Sequence, residues 1–168
     1  MKIGIIGSMQ FTDKMLEVRS QLRALGHDAF LTDLHRPMVG KTAQEIETIK
    51  LHQKYHLDAI REFWRMMQGA DVVLVLNYDK HGIKNYIGGN TLMEIGFAHV
   101  LEQKIFLLNP VPQIPYYQTE IEAMKPIILD GDVANIVWGP LLYEVDRREK
   151  RSVPEHKKSN NDLISVQK

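Results

Sequence analysis

Val72-Val73-Leu74-Val75-Leu76 is apolar at every position and runs straight into the polar turn Asn77-Tyr78-Asp79-Lys80. A strand with one wet face alternates apolar and polar residues; an unbroken apolar strand is covered on both faces, as in a parallel sheet between helix layers. Ile3-Gly4-Ile5-Ile6, Ile105-Phe106-Leu107-Leu108 and Ile127-Ile128-Leu129 have the same character, and residues 28–32 (Asp-Ala-Phe-Leu-Thr) make a second strand. Between these runs the period becomes helical. Met15, Val18, Leu22 and Leu25 recur at three- and four-residue steps before Gly26, which predicts a first helix. Thr42-Ala43-Gln44-Glu45 spells a capping box that opens one long helix to about Gly69, with Ile46, Ile49, Leu57, Ile60, Trp64 and Met67 on its apolar face. A third helix is expected from Thr91 to about Glu102. The alternation predicts a doubly wound α/β domain: a mainly parallel sheet of about five strands with helices on both faces, Rossmann- or flavodoxin-like.

The chain has 168 residues, 44% hydrophobic and 25% charged, room for one compact domain. Residues 1–145 form that expected domain, and 146–168, with a net charge of +3 and few large apolar residues, read as a flexible tail. Acidic and basic residues balance at 21 each, which argues against a dedicated nucleic-acid or membrane-surface binder. No apolar run approaches the ~18 residues of a membrane span. Met1-Lys2-Ile3-Gly4 enters an apolar segment only a few residues long, so no secretory leader is expected. With no cysteine there is no thiol nucleophile and no disulfide framework, and a cytoplasmic protein is the expectation.

In doubly wound folds, ligands sit outside the carboxyl ends of the strands. Two segments there carry chemistry. Gly7-Ser8-Met9 follows the first strand: glycine lets the backbone approach a ligand, Ser8 offers a hydroxyl, and the next helix offers free amides. A tight turn of small residues is also what any such domain needs at this point. The second segment is the loop of about 14 residues from Asn77 to Asn90, rich in Asn, Asp, Lys, His and Tyr. Asn77, Asp79, Gly88, Gly89, Asn90 and Thr91 are candidate binding residues. Glu94 then falls in the expected first helical turn, where amides and the helix dipole would keep it ionised and able to attack an electrophilic sugar carbon. Thr91-Leu92-Met93-Glu94 is equally the spelling of a capping box, in which Glu94 would merely reach back to the Thr91 amide. Lys14, Lys80 and Lys84 could meet a phosphate. The histidines form no metal motif: His52 and His56, four apart, lack an evident third ligand.

Ile5-Ile6-Gly7-Ser8-Met9, Gly69-Ala70-Asp71-Val72-Val73-Leu74-Val75 and Gly88-Gly89-Asn90-Thr91-Leu92-Met93-Glu94-Ile95-Gly96-Phe97-Ala98, followed by Lys104-Ile105-Phe106-Leu107-Leu108-Asn109-Pro110, resemble the nucleoside 2-deoxyribosyltransferase-like superfamily, which includes deoxynucleoside monophosphate N-glycosidases. The resemblance covers roughly residues 1–130, and its E-x-G-x-A core is its most specific part. It implies that Glu94 attacks C1′ of a nucleoside or nucleotide and releases the base, that Gly7-Ser8 contacts the sugar or its 5′ group, and that no cofactor takes part. It also implies a homodimer or higher homo-oligomer whose neighbouring subunit completes the pocket. The residues Phe63, Trp64, Met66 and Met67 offer a surface for that contact, though such residues also serve as plain core. The family's second acid departs from the pattern: its place falls near Phe63, so Glu62, Asp71 or Asp79 takes the role or the acid is missing. Gly88 to Glu94 is also similar to the G-G-x-G-T-x-x-E signature of cytokinin-activating phosphoribohydrolases, one glycine short. Both families cleave a nucleotide N-glycosidic bond.

Overall fold

The five strands lie in one parallel sheet in the order β2-β1-β3-β4-β5, formed by β1 (Lys2–Gly7), β2 (Asp28–Phe30), β3 (Val72–Leu76), β4 (Lys104–Leu107) and β5 (Ile127–Ile128). This computed structural model describes residues 1–137, which form one compact unit; the expected tail, 146–168, lies outside the described residues. The helices are α1 (Thr12–Ala24), α2 (Ala43–His56), α3 (Ala59–Met67), α4 (Gly89–Val100) and α5 (Gln118–Ala123). The doubly wound α/β fold predicted from the apolar runs is thus the fold of the chain.

The strands are apolar throughout because each alternates between two buried layers. Ile3, Ile5, Val72, Leu74, Leu76 and Phe106 pack with Met15, Val18 and Leu22 of α1 on one face. Ile6, Val73, Val75, Ile105 and Leu107 pack with Met67 of α3, Ile95 and Ala98 of α4 and Ile121 of α5 on the other. The chain leaves β1 to pair β2 on one side and returns to pair β3 on the other. The sheet order therefore reverses between β1 and β3, which is where such folds form their ligand crevice.

Gly7 ends β1 at that crevice, in register with Leu76. Its φ is +154°, and a Cβ there would sit 2.9 Å from the Leu76 carbonyl oxygen, a backbone atom held by the sheet. Gly7→Ala is therefore expected to cost roughly 2–4 kcal/mol, from strain and overpacking together, read as a lower urea midpoint.

One expected helix is two. The segment 42–69 breaks between α2 and α3, where Asp58 adopts a left-handed conformation (φ +48°). The capping box at its start does form: the Thr42 amide donates to Glu45 Oε2 (2.9 Å), and the Glu45 amide donates to Thr42 Oγ1 (3.3 Å). The break rotates the buried face of α3. Ala59, Phe63 and Met67 turn inward, while Ile60 and Trp64, read from a continuous helix as core, are about two-fifths exposed and Leu57 is more exposed still. Phe63 joins Met9, Met38 and Ile46 in a small third core beside the crevice.

Candidate active site

Glu94 sits over the crevice in a place the sequence pattern did not assign. Helix α4 begins at Gly89 with Gly88 as its cap, so Glu94 lies in the second turn instead of the first. The Leu92 amide already donates to the Gly88 carbonyl (2.9 Å), and the free amides of the helix start precede Glu94 by most of a turn. Thr91 is inside the helix and buried, so no capping box forms and Glu94 is not folded back on its own backbone. Only 5% of Glu94 is exposed, and Oε2 meets no donor among the described residues. Burial pushes its pKa up to about 8, against which the nearby Lys54 ammonium pulls down. The expectation of a carboxylate held ionised by amides and dipole is thereby corrected: burial favours the protonated form of Glu94 at neutral pH.

The carboxyl group faces a recess of about 10 Å³, room for a single water molecule. Its walls come from four parts of the chain: Met9 from the turn after β1; Lys50, Gln53 and Lys54 from α2; Ala59, Ile60 and Phe63 from α3; Asn90, Met93 and Phe97 beside Glu94 on α4. Gln53 is 3% exposed; its Nε2 donates to the Leu34 carbonyl (2.9 Å), and its Oε1 has no protein donor. Lys50 is engaged by Glu47, and Lys54 carries no salt bridge among the described residues. Of the candidates from the sequence, Met9, Asn90 and Glu94 meet here. Lys50, Gln53 and Lys54 were missed, although their spacing of three and four residues places them on one side of a helix.

The other candidates are distributed around this centre or away from it. Ser8 accepts a 2.8 Å hydrogen bond from the Lys80 ammonium, which also lies 5.6 Å from the Tyr86 ring centre. Burial and the neighbouring Lys50 lower the pKa of Lys80. The loop is a closed structure. Lys80 and Ile83 exchange backbone hydrogen bonds around His81 and Gly82, the Tyr86 amide donates to the Tyr78 carbonyl (3.1 Å), and Asp79 Oδ1 accepts from the Asn85 amide (2.8 Å). Asp79 therefore shapes the loop. Gly88 packs against Tyr86, where a Cβ would lie 3.2 Å from the ring, whereas Gly89 faces open space.

Asn77 is fully buried and fully committed. Its Nδ2 donates to the Asn109 and Pro110 carbonyls (2.9 and 3.1 Å), and its Oδ1 accepts from the Asn109 amide (2.9 Å). It ties the ends of β3 and β4 together and leaves nothing for a substrate. None of the three candidates for the second acid, Glu62, Asp71 and Asp79, lines the recess with Glu94. Glu62 is outside the recess, 3.7 Å from Arg65, and Asp71 accepts the Lys2 amide (2.7 Å) at the opposite, amino-terminal edge of the sheet. Lys14 lies 4.4 Å from the Tyr78 ring centre, and Lys84 is exposed. His52 and His56 face each other at 4.9 Å on exposed helix surface, and among the described residues no three His, Asp or Glu side chains gather as a metal site requires.

A larger cavity of about 340 Å³ opens on the α1 side, lined by Glu17, Gln21, Tyr78, Gly131 and Asp132. Asp132 there caps the Ala134 amide (2.8 Å). Size favours this cavity and chemistry favours the recess, because among the described residues only the recess holds a buried carboxyl group with a strongly displaced pKa.

A comparison with protein-family models finds no match, and comparisons with curated proteins and with solved structures find none either. Among the described residues no helix is long and apolar enough to cross a membrane.

Two buried groups set the pH response of the fold in opposite directions. Glu94 binds its proton more tightly folded (about 8) than unfolded (4.5), so stability falls as pH rises from 4.5 to about 8. His35, buried against Phe63, has its pKa lowered by burial from 6.5 to about 4, so stability falls as pH drops through that window. Between pH 4.5 and 6.5 the slopes cancel. Denaturation at a series of pH values is expected to show a plateau there and a decline from pH 6.5 to 8. In His35→Gln the plateau should become a slope falling with pH.

Proposed function

We propose that this protein cleaves the N-glycosidic bond of a nucleoside or nucleotide, with Glu94 as the nucleophile at C1′. The observation that carries the reading is the buried Glu94 carboxyl group, unpartnered at Oε2 and placed beside the switch point of the sheet. Keeping such a group in a fold costs stability, and groups of this kind concentrate at functional sites. The transition state is oxocarbenium-like, and an anion on one face of the sugar lowers its energy. Ser8, Lys80 and the start of α4 stand ready for the sugar or its 5′ group, the role the superfamily resemblance implies for the Gly7-Ser8 turn. A nucleoside is far larger than one water, so side chains lining the recess, which include Lys50, Lys54, Ile60 and Met93, must rearrange to admit it. The base released and the sugar, deoxyribose or ribose, follow from the two resemblances only as alternatives. Of the residues expected to offer a subunit contact, Phe63 and Met67 are buried core, while Trp64 is exposed, as are the apolar Ile60 of α3 and Met93 and Val100 of α4, which suits the homodimer or higher homo-oligomer implied by the resemblance.

Incubation with the common nucleosides and their 5′-monophosphates, in deoxy and ribo forms, is expected to release free base, seen by chromatography. The rate should climb with pH up to about 8 as Glu94 ionises. A second reading, a nucleotide-binding module without turnover, is favoured by one observation: among the described residues, Glu94 is the only carboxyl group lining the recess. It requires ligands that raise the melting temperature and are recovered intact.

A further inference from the structure

Cleavage of an N-glycosidic bond needs a proton for the departing base, and none of Glu62, Asp71 and Asp79 lines the recess that holds Glu94. The recess wall opposite α4 is instead cationic. Lys50 is held by Glu47, and Lys80, near the crevice, by Ser8, so each of those ammonium groups already has a partner. Lys54 lines the same recess as Glu94, is half-buried, acts electrostatically on that carboxyl group, and carries no salt bridge among the described residues.

Resting on the glycosidase reading above, we propose that Lys54 is the acid–base residue of this site, taking the role for which the resemblance implies a second acid. As the Glu94 oxygen forms its bond to C1′, the C1′–N bond breaks. Its electron pair stays on the base, and the Lys54 ammonium gives that base a proton. Water then attacks C1′ and passes its proton to the Lys54 amine. The bond to Glu94 breaks, the carboxylate is restored, and the sugar leaves with the water's hydroxyl. One water is consumed, and both side chains return to their starting protonation.

Arginine separates this role from a purely electrostatic one, because it keeps the positive charge beside Glu94 and does not give up a proton. The test compares wild type, Lys54→Arg and Glu94→Gln on two substrates. One is the common nucleotide that wild type cleaves fastest; the other is the 4-nitrophenyl glycoside of the same sugar, whose leaving group departs as a stable anion without protonation. Lys54→Arg is expected to lose roughly 100-fold or more on the nucleotide and stay within a few-fold of wild type on the nitrophenyl glycoside. Glu94→Gln should lose both. Equal loss on both substrates, or no loss on either, in Lys54→Arg overturns the role of Lys54 and leaves the glycosidase reading standing. Wild type that cleaves no nucleotide overturns that reading and this role with it.

Discussion

Glu94→Gln is expected to abolish base release and, at pH 8, to make the protein more stable than wild type. The two effects share one cause. The substitution keeps the shape of the side chain and removes the charge, so the attack on C1′ is lost, by about 1,000-fold or more on the scale of covalent catalysis by a single essential group. The same change removes a group whose folded pKa, about 8, lies far above its unfolded value of 4.5. The penalty of that group is absent below pH 4.5 and grows until about pH 8, where it amounts to a few kcal/mol. An amide carries no such pH-dependent penalty. Melting curves of both proteins should therefore lie close together near pH 5 and diverge towards pH 8, with the variant melting higher. A variant that melts lower at pH 8 would mean that the carboxyl group is stabilised by contacts other than those described, and the assignment of a strained functional acid would fall.

Asn77→Asp should cost the fold several kcal/mol at neutral pH, roughly 3–5 on the scale of an uncompensated buried charge. The amide nitrogen now sits between the Asn109 and Pro110 carbonyls, at 2.9 and 3.1 Å, with no exposure to solvent. Aspartate turns that donor into an oxygen facing two other oxygens. Its carboxyl group escapes the repulsion only by taking up a proton, so the deficit should shrink as pH falls. Denaturant midpoints at pH 7 and pH 5 measure both parts. A loss under 1 kcal/mol at pH 7 would show that Asn77 is free to serve a ligand and that the clasp between β3 and β4 is dispensable.

How much of this was legible in the sequence follows the range of the interactions. The apolar runs at 3–6, 72–76, 105–108 and 127–129 disclosed a sheet buried on both faces, because strand burial is written into consecutive residues. The Thr42–Glu45 capping box was readable for the same reason, since its partners are three residues apart. The identical spelling at Thr91–Glu94 misled, because Gly88 caps the helix three residues earlier and carries Glu94 past the first turn. The break at Asp58 was invisible as well. Its left-handed backbone carries a local cost, offset by seating Ala59, Phe63 and Met67 in the core, and that seat exists only once Met9 and Met38 arrive from distant parts of the chain.

The sequence by itself determined the fold class, and it named Glu94 and the carboxyl edge of the sheet as candidates. Tertiary structure alone decided that Glu94 is a buried group with a raised pKa instead of a carboxylate held ionised by the helix start, that Asn77 is a clasp, and that Lys50 and Lys54 of α2 line the recess around Glu94 while Glu62 and Asp71 do not. The reason is physical: a pKa and a hydrogen-bond partner depend on what surrounds a group in space, and much of the surroundings of Glu94 comes from segments about thirty to eighty-five residues before it.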